Sequence, residues 1–139
     1  MIALRVVVDT NVVISAALKP EGLERSVLLL ALAKPARWYV SEPIMKEYAA
    51  VLARAEFKIR KGLRLQFLQL IKNHAHVVVP AHLPQLTADA ADNVFLECAD
   101  SARVDYLITG NQRHFPKFWK KTKVINSRDF LSVVAPHLT

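Results

Sequence analysis

The sequence contains only one cysteine, Cys98, among 139 residues, and only five histidines. A single thiol cannot form a disulfide within the chain or supply a thiolate cage for a metal ion, and its simplest role is a buried core residue. His74, His76 and His82 are separated by a predicted strand and a proline, which disfavours a histidine zinc site. Any metal site is therefore expected to use oxygen ligands.

Long apolar runs are missing as well, since no stretch approaches the roughly 18 residues that cross a bilayer. A secretory signal is not expected either, because Asp9 interrupts the apolar segment near the amino terminus. We therefore predict a cytoplasmic protein with no membrane partner. Apolar residues make up 53% of the chain. This is enough for one core, so residues 1–139 are predicted to form a single domain.

Acidic residues are scarce, with 12 against 19 basic ones and a net charge of +7. This balance favours anionic partners such as nucleic acid. Arg60, Lys61 and Arg64 cluster near the start of a predicted helix, where they form either a solvated face or part of a polyanion-binding surface.

The stretch 2–8 is short, apolar and rich in β-branched residues, as expected of a strand that is covered on both faces. It ends at Asp9. In parallel α/β sheets the ligand crevice lies beyond the carboxyl ends of the strands, so Asp9 is placed to meet a cation or a substrate. Capping of the following helix is the alternative role of this residue.

Strand and helix patterns alternate along the whole chain. The fold is therefore predicted to be three-layer α/β/α, with a mostly parallel central sheet of four to five short strands. The predicted strands are 2–8, 37–40, 76–79, 105–109 and 124–125. The predicted helices are 11–17, 24–33, 42–55 with Ser41 as N-cap, 57–73, one that ends at 102, and one that Ser127 caps and that runs to 134. Residues 80–88 are predicted to be a loop.

Glu47 has the helical spacing of the apolar residues Ile44, Tyr48 and Val51, which turns it toward the core side of its helix. A carboxylate at such a position needs either a basic partner or a cation. Both alternatives stay open from the sequence alone.

Asp92 begins the apolar stripe of a later helix, whereas Asp89 is predicted to cap that helix. Asp92 is a second ligand candidate, although an acidic residue in a first turn is also favoured by the helix dipole. Glu97 and Asp100 fall on the opposite face and are predicted to be solvated.

Gly110 and Asn111 turn the chain directly after the strand 105–109, again beyond a carboxyl end. The segment that follows mixes basic residues with Phe115, Phe118 and Trp119, a composition suited to phosphate contact and base stacking. The predicted RNA-binding residues are Arg113, His114, Lys117, Lys120 and Lys121. A surface loop held by buried aromatic rings is the alternative.

If the topology gathers Asp9, Glu47 and Asp92, their charges require compensation, because two carboxylates about 4 Å apart repel by roughly 4 kcal/mol. Oxygen ligands select hard ions, so Mg²⁺ or Mn²⁺ is favoured over zinc. This chemistry suits metal-assisted phosphodiester hydrolysis, in which Glu47 orients or deprotonates the attacking water.

With these residues in view, the sequence resembles the PIN-domain ribonucleases, particularly the VapC-like toxins of bacterial and archaeal toxin-antitoxin pairs. The resemblance covers nearly the whole chain. It rests on four motifs in order: Val8-Asp9-Thr10-Asn11, residues 41–48 around Glu47, residues 92–99, and residues 107–111 with the trailing His114-Phe115.

This resemblance implies a Mg²⁺- or Mn²⁺-dependent endoribonuclease, often a homodimer, that a small antitoxin blocks by binding over the active site. The resemblance makes Asp9, Glu47 and Asp92 the catalytic and metal-binding acids. The supporting hydrogen-bond groups are Thr10, Asn11 and Thr109. Asn111 departs from the many relatives with an acid at this position, and its neutral oxygen implies weaker binding of a second metal.

Two other functions compete with the nuclease. In the first, a catalytically weak or inactive PIN-like module binds RNA or a protein, and the acidic set is structural. In the second, Asp9 is the nucleophile of a phosphotransferase. That chemistry expects another aspartate two residues on as general acid, and Asn11 stands there instead.

Overall fold

The computed structural model describes residues 3–82 and 90–135, with the backbone alone for Ala90. Six strands and six α-helices occur in this part of the chain. The strands are β1 (Leu4–Val8), β2 (Ala36–Val40), β3 (His76–Val77), β4 (Tyr106–Ile108), β5 (Phe118–Trp119) and β6 (Thr122–Ile125). The helices are α1 (Thr10–Leu18), α2 (Leu23–Leu32), α3 (Glu42–Leu52), α4 (Lys61–His74), α5 (Ala90–Ala102) and α6 (Ser127–Val134).

The strands form one sheet in the order β3-β2-β1-β4-β6-β5, and every pairing is parallel except that of β5 with β6. From β1 the chain moves outward through β2 to β3, then returns to the other side of β1 as β4. The strand order therefore reverses between β1 and β4. In open α/β sheets such a switch point opens a crevice at the carboxyl ends of the strands.

The core surrounds β1, where Val6, Val7 and Val8 are fully buried. Tyr48 of α3 is also fully buried, and its hydroxyl donates a hydrogen bond to the carbonyl of Val8. Burial keeps the pKa of Tyr48 well above its ordinary value of 10.0, so the phenol remains a donor. With α1 packed on α2, α2 on α6 and α3 on α5, helices cover the sheet, and the predicted α/β/α architecture is confirmed.

The structure corrects several predicted boundaries. The described sheet has six strands rather than four to five, because β5, a two-residue edge strand, is too short to leave a periodic pattern; β3 was predicted at 76–79 and covers only His76–Val77. The predicted helix 57–73 begins only at Lys61, after a 3-10 turn at Ala55–Phe57 and the left-handed backbone of Lys58. The N-cap of α6 is Asn126, whereas Ser127 is the buried first residue of the helix.

Ile2 of the first predicted strand, the Asp89 cap and most of the predicted loop 80–88 lie outside the described residues. The predicted role of Ser41 is confirmed, since its hydroxyl accepts the backbone N–H of Ile44 at the start of α3. In the part of the chain that the structure describes, no helix has the length and apolar character needed to cross a membrane.

Candidate functional site

Asp9 lies at the sheet's switch point, directly after β1 and beside the end of β4. It is only 6% exposed. One carboxylate oxygen, Oδ1, accepts the backbone N–H of Thr10 at 2.8 Å and so caps α1. The other oxygen, Oδ2, accepts the hydroxyl of Thr109 at 2.7 Å and the side-chain amide of Asn11 at 3.3 Å. The capping role and a position in the crevice therefore belong to the same side chain.

A second set of hydrogen bonds joins this carboxylate to the turn after β4. The Thr109 hydroxyl accepts the N–H of Asn111 at 3.0 Å, and the side-chain oxygen of Asn11 accepts the N–H of Gly110 at 3.0 Å. A Cβ atom at Gly110 would lie 3.4 Å from that oxygen, which is an ordinary van der Waals contact. Together these contacts fix Asp9 relative to Asn111. The three predicted supporting residues all contact Asp9.

Asp92 lies in the first turn of α5 with its side chain 13% exposed, and His114 Nδ1 is 3.4 Å from its Oδ2. His114 belongs to the 3-10 turn Gln112–His114, whose N-cap is Asn111. This contact links α5 to the same turn that carries Asn111. The histidine that was predicted to bind RNA thus contacts a predicted metal-binding acid.

Glu47 is half-buried on α3, next to Tyr48. Its helix packs against both α1, which Asp9 caps, and α5, which carries Asp92. The core stripe on which the sequence placed Glu47 is buried as expected, with Ile44 and Tyr48 at 0% exposure and Val51 at 7%.

The predicted basic and aromatic segment does not form one surface. Arg113 and His114 lie beyond the carboxyl end of β4. Lys120 and Lys121 lie just before β6, at the amino ends of the parallel strands. Lys120 Nζ is 2.8 Å from Asp100, and Lys121 Nζ is 3.4 Å from Asp105. Arg113 and Lys117 are exposed and form no ion pair within the described residues.

The expectation that Glu97 and Asp100 are solvated is wrong. The Glu97 side chain is 14% exposed and lies 2.9 Å from His82 Nδ1. Asp100 accepts hydrogen bonds from Lys120 and from the indole of Trp119, and these contacts, that of Lys120 above all, lower its pKa. The spacing within α5 could not predict these contacts, because His82, Trp119 and Lys120 all lie outside that helix.

The atoms that could bind a metal ion beyond the carboxyl ends of the strands include the side-chain oxygens of Asp9, Asp92 and Asn111. Oxygen ligands suit Mg²⁺ or Mn²⁺. The hydroxyl of Thr10 is also buried without a hydrogen-bond partner among the described residues. Over residues 3–82 and 90–135, no three acidic, histidine or cysteine side chains are close enough to hold an ion together. The residues therefore fit an ion held by one or two carboxylates that keeps several waters, a common arrangement for Mg²⁺.

A polar cavity of about 250 Å³ opens beside Asn11 and Asn111, and Glu24, Ser15 and Ser127 complete its polar lining. From the sequence, Glu24 was predicted only to be the first residue of a helix. No local pattern marks this residue, because its place at the cavity depends on the packing of α2 against α6.

Comparison with known families agrees with this geometry, since the model of the PIN domain family matches residues 5–113. The chain belongs to the PIN domain family. No curated protein matches the sequence of this PIN domain. Among solved structures it resembles VapBC2 from Rickettsia felis bound to a promoter DNA fragment, with 14% identity and a TM-score of 0.61 over 88% of this chain and 98% of that one. It also resembles VapBC-1 from nontypeable Haemophilus influenzae, with 15% identity and a TM-score of 0.59 over 90% and 99%. At these identities the likeness establishes the fold of the PIN domain.

Proposed function

We propose that this PIN domain is a Mg²⁺- or Mn²⁺-dependent endoribonuclease that acts at the crevice between β1 and β4. The observation that carries the proposal is the Asp9 carboxylate, which is almost fully excluded from solvent and oriented by donors from Thr10, Asn11 and Thr109. A side chain held in one orientation at a switch point is suited to bind a ligand rather than only to cap a helix.

In this proposal Asp9, Glu47 and Asp92 would share the ion, one or two of them binding it directly and the others through its waters, and Asn111 would add a weak neutral ligand. When bound, the ion polarises the phosphodiester and activates water. Glu47 accepts the proton of the attacking water. This role is supported by its half-buried position on α3, the helix that packs against both α1, which Asp9 caps, and α5, which carries Asp92. Thr109 holds Oδ2 of Asp9 in place through its hydroxyl. Arg113 and Lys117 contact phosphates of the RNA, with His114 beside them.

The test is cleavage of a labelled RNA by the purified protein in Mn²⁺. Asp9→Asn and Asp92→Asn should each abolish cleavage, since either change removes a charged ligand. Glu56→Gln is the matched control, because Glu56 is exposed in the 3-10 turn before α4. Full cleavage by both site variants would overturn the proposal.

A second candidate function is a PIN-like module that binds RNA or a protein without efficient catalysis. Two observations favour it: no three metal-binding side chains meet among the described residues, and His114 contacts Asp92. RNA binding that is independent of Mn²⁺, together with no cleavage by the wild-type protein, would support the module over the nuclease.

We further propose that the protein is a cytoplasmic VapC-like toxin, a homodimer whose activity a small antitoxin blocks. The described surface offers an apolar groove between α2 and α4 with Leu29, Leu63 and Phe67 in its walls, suited to an apolar helix of such a partner. Co-purification with the protein encoded by an adjacent short reading frame, and loss of cleavage in that complex, would test the role.

A further inference from the structure

We infer that the polar cavity beside Asn11 and Asn111 is a base-recognition pocket that prefers guanine in the bound RNA. The inference rests on the proposed function, because it names the part of the substrate that this cavity takes. Its volume, about 250 Å³, is below that of sites for drug-sized ligands and suits one small ring system.

The side chain that directs the choice is Glu24. It is half-buried in the first turn of α2, lines the cavity, and has no hydrogen bond or ion pair with any residue of the described chain. The helix dipole favours an acid at this position, but that interaction leaves both carboxylate oxygens able to accept further hydrogen bonds. A ligand that replaces water at these oxygens must therefore supply hydrogen-bond donors.

The other polar side chains of the cavity are neutral. They are the amides of Asn11 and Asn111 and the hydroxyls of Ser15 and Ser127. The negative charge of Glu24 repels phosphate, so the cavity takes an uncharged part of the nucleotide. Guanine is the base whose Watson–Crick edge presents two adjacent N–H donors, N1–H and the 2-amino group, which match the two oxygens of a carboxylate. Adenine, cytosine and uracil each place an acceptor beside their donor.

The position of the cavity connects recognition to the reaction. Asn11 lines it and also donates to Asp9 Oδ2 at 3.3 Å, while its side-chain oxygen accepts the N–H of Gly110. A base seated against Glu24 therefore places its own sugar and phosphate next to the Asp9 carboxylate. This arrangement predicts cleavage next to guanine.

The test measures binding without cleavage, in the presence of a chelator, using fluorescein-labelled oligouridine hexamers that carry one central guanine or one central inosine. Inosine lacks only the 2-amino group. The wild-type protein should bind the guanine hexamer about tenfold more tightly, as expected for one hydrogen bond to a charged group. Glu24→Gln should reduce this ratio to near one, because an amide offers one acceptor and one donor. Glu21→Gln, a change at an exposed glutamate just before α2, should keep it.

A ratio near one in the wild type, or a ratio unchanged in Glu24→Gln, would overturn the inference. The wild-type comparison decides the matter even if Glu24→Gln fails to fold. Weaker Mn²⁺ binding in Glu24→Gln with an unchanged base ratio would make the cavity a cation site instead. Cleavage in Mn²⁺ without guanine preference contradicts the pocket alone, whereas guanine preference without cleavage contradicts only the nuclease.

Discussion

Asp9 caps a helix with one oxygen and receives a threonine hydroxyl on the other, so the two roles that the sequence left open are compatible. The strand end and the motif around Asp9 allowed its position to be predicted. Its bond to Thr109 was implied only by the family resemblance, since no local pattern connects residues 100 positions apart. The contact of His114 with Asp92 was not predicted at all, because it depends on how the turn after β4 packs on α5.

At the residue scale, Thr109→Val tests the support of Asp9. The change removes a donor to the carboxylate and an acceptor for Asn111. We expect a loss of about 1–3 kcal/mol in the free energy of unfolding and a large loss of RNA cleavage. Urea denaturation and a cleavage assay measure the two effects. Thr122→Val is the control, because it removes another buried hydroxyl bond, to Val104, and should leave cleavage intact.

Cys98 gives a pH-dependent prediction. Burial raises the pKa of its thiol from 9.0 to about 12, so the folded state holds its proton over a range in which the unfolded state loses it. The stabilising contribution is complete below pH 9 and is lost as the pH rises toward 12. Relative to Cys98→Ala, the wild type should lose about 1.4 kcal/mol of unfolding free energy per pH unit in this range. If the unfolding free energies of the two proteins change equally with pH, the raised pKa of Cys98 is refuted.

At the scale of elements, local signals located the main helices and strands well. The hydroxyl of Ser41, Pro43 in the first turn and the spacing from Ile44 to Val51 predicted the start and the buried face of α3. The segment after β4 was predicted less well, because β5 bends it back along β6. The turn between these strands carries Lys120 and Lys121 to the edge opposite Asp9, and sequence proximity to Arg113 gave no sign of it.

The bond between α3 and β1 provides a prediction at this scale. Tyr48→Phe should lower the free energy of unfolding by about 1–2 kcal/mol, because the buried Val8 carbonyl loses its side-chain donor. Tyr39→Phe is the matched control, since the Tyr39 hydroxyl has no hydrogen bond to a described residue. Chemical denaturation of both variants should show a clearly smaller effect for Tyr39. Equal losses would mean that the bond contributes nothing specific.

The divided basic segment predicts unequal contributions to RNA affinity. Arg113→Ala should weaken binding and reduce the slope of log affinity against log salt by about one, as expected for the loss of one phosphate contact. Lys121→Ala should change neither quantity, because Lys121 is paired with Asp105 at the other edge. Fluorescence anisotropy over a salt series, with a chelator present, measures both. A larger loss of RNA affinity in Lys121→Ala than in Arg113→Ala would place the RNA at the other end of the strands.

At the scale of the whole molecule, strand and helix alternation predicted the architecture, and the order of motifs predicted the family. Alternation alone could not give the strand order. The sequence placed Asp9 and the turn at Asn111 at the carboxyl ends of neighbouring strands, and the hydrogen bonds of Thr109 join the two. A close group of three acids does not occur among the described residues.

Ion binding should stabilise the entire fold. At a Mn²⁺ concentration 100 times the dissociation constant, the wild type should gain about 2.7 kcal/mol in unfolding free energy. Asp9→Asn should gain much less, while Glu56→Gln should match the wild type. Denaturation with and without Mn²⁺ measures these gains. An equal gain in Asp9→Asn would remove Asp9 from the ion site.

The Thr109 hydroxyl reaches Asp9 across 100 residues of sequence. During synthesis on the ribosome, β1 emerges first, but its carboxylate has no Thr109 until β4 has left the exit tunnel. A nascent chain therefore carries an incomplete crevice until β4 has emerged. If the protein cuts RNA, it cannot do so before that point of its synthesis.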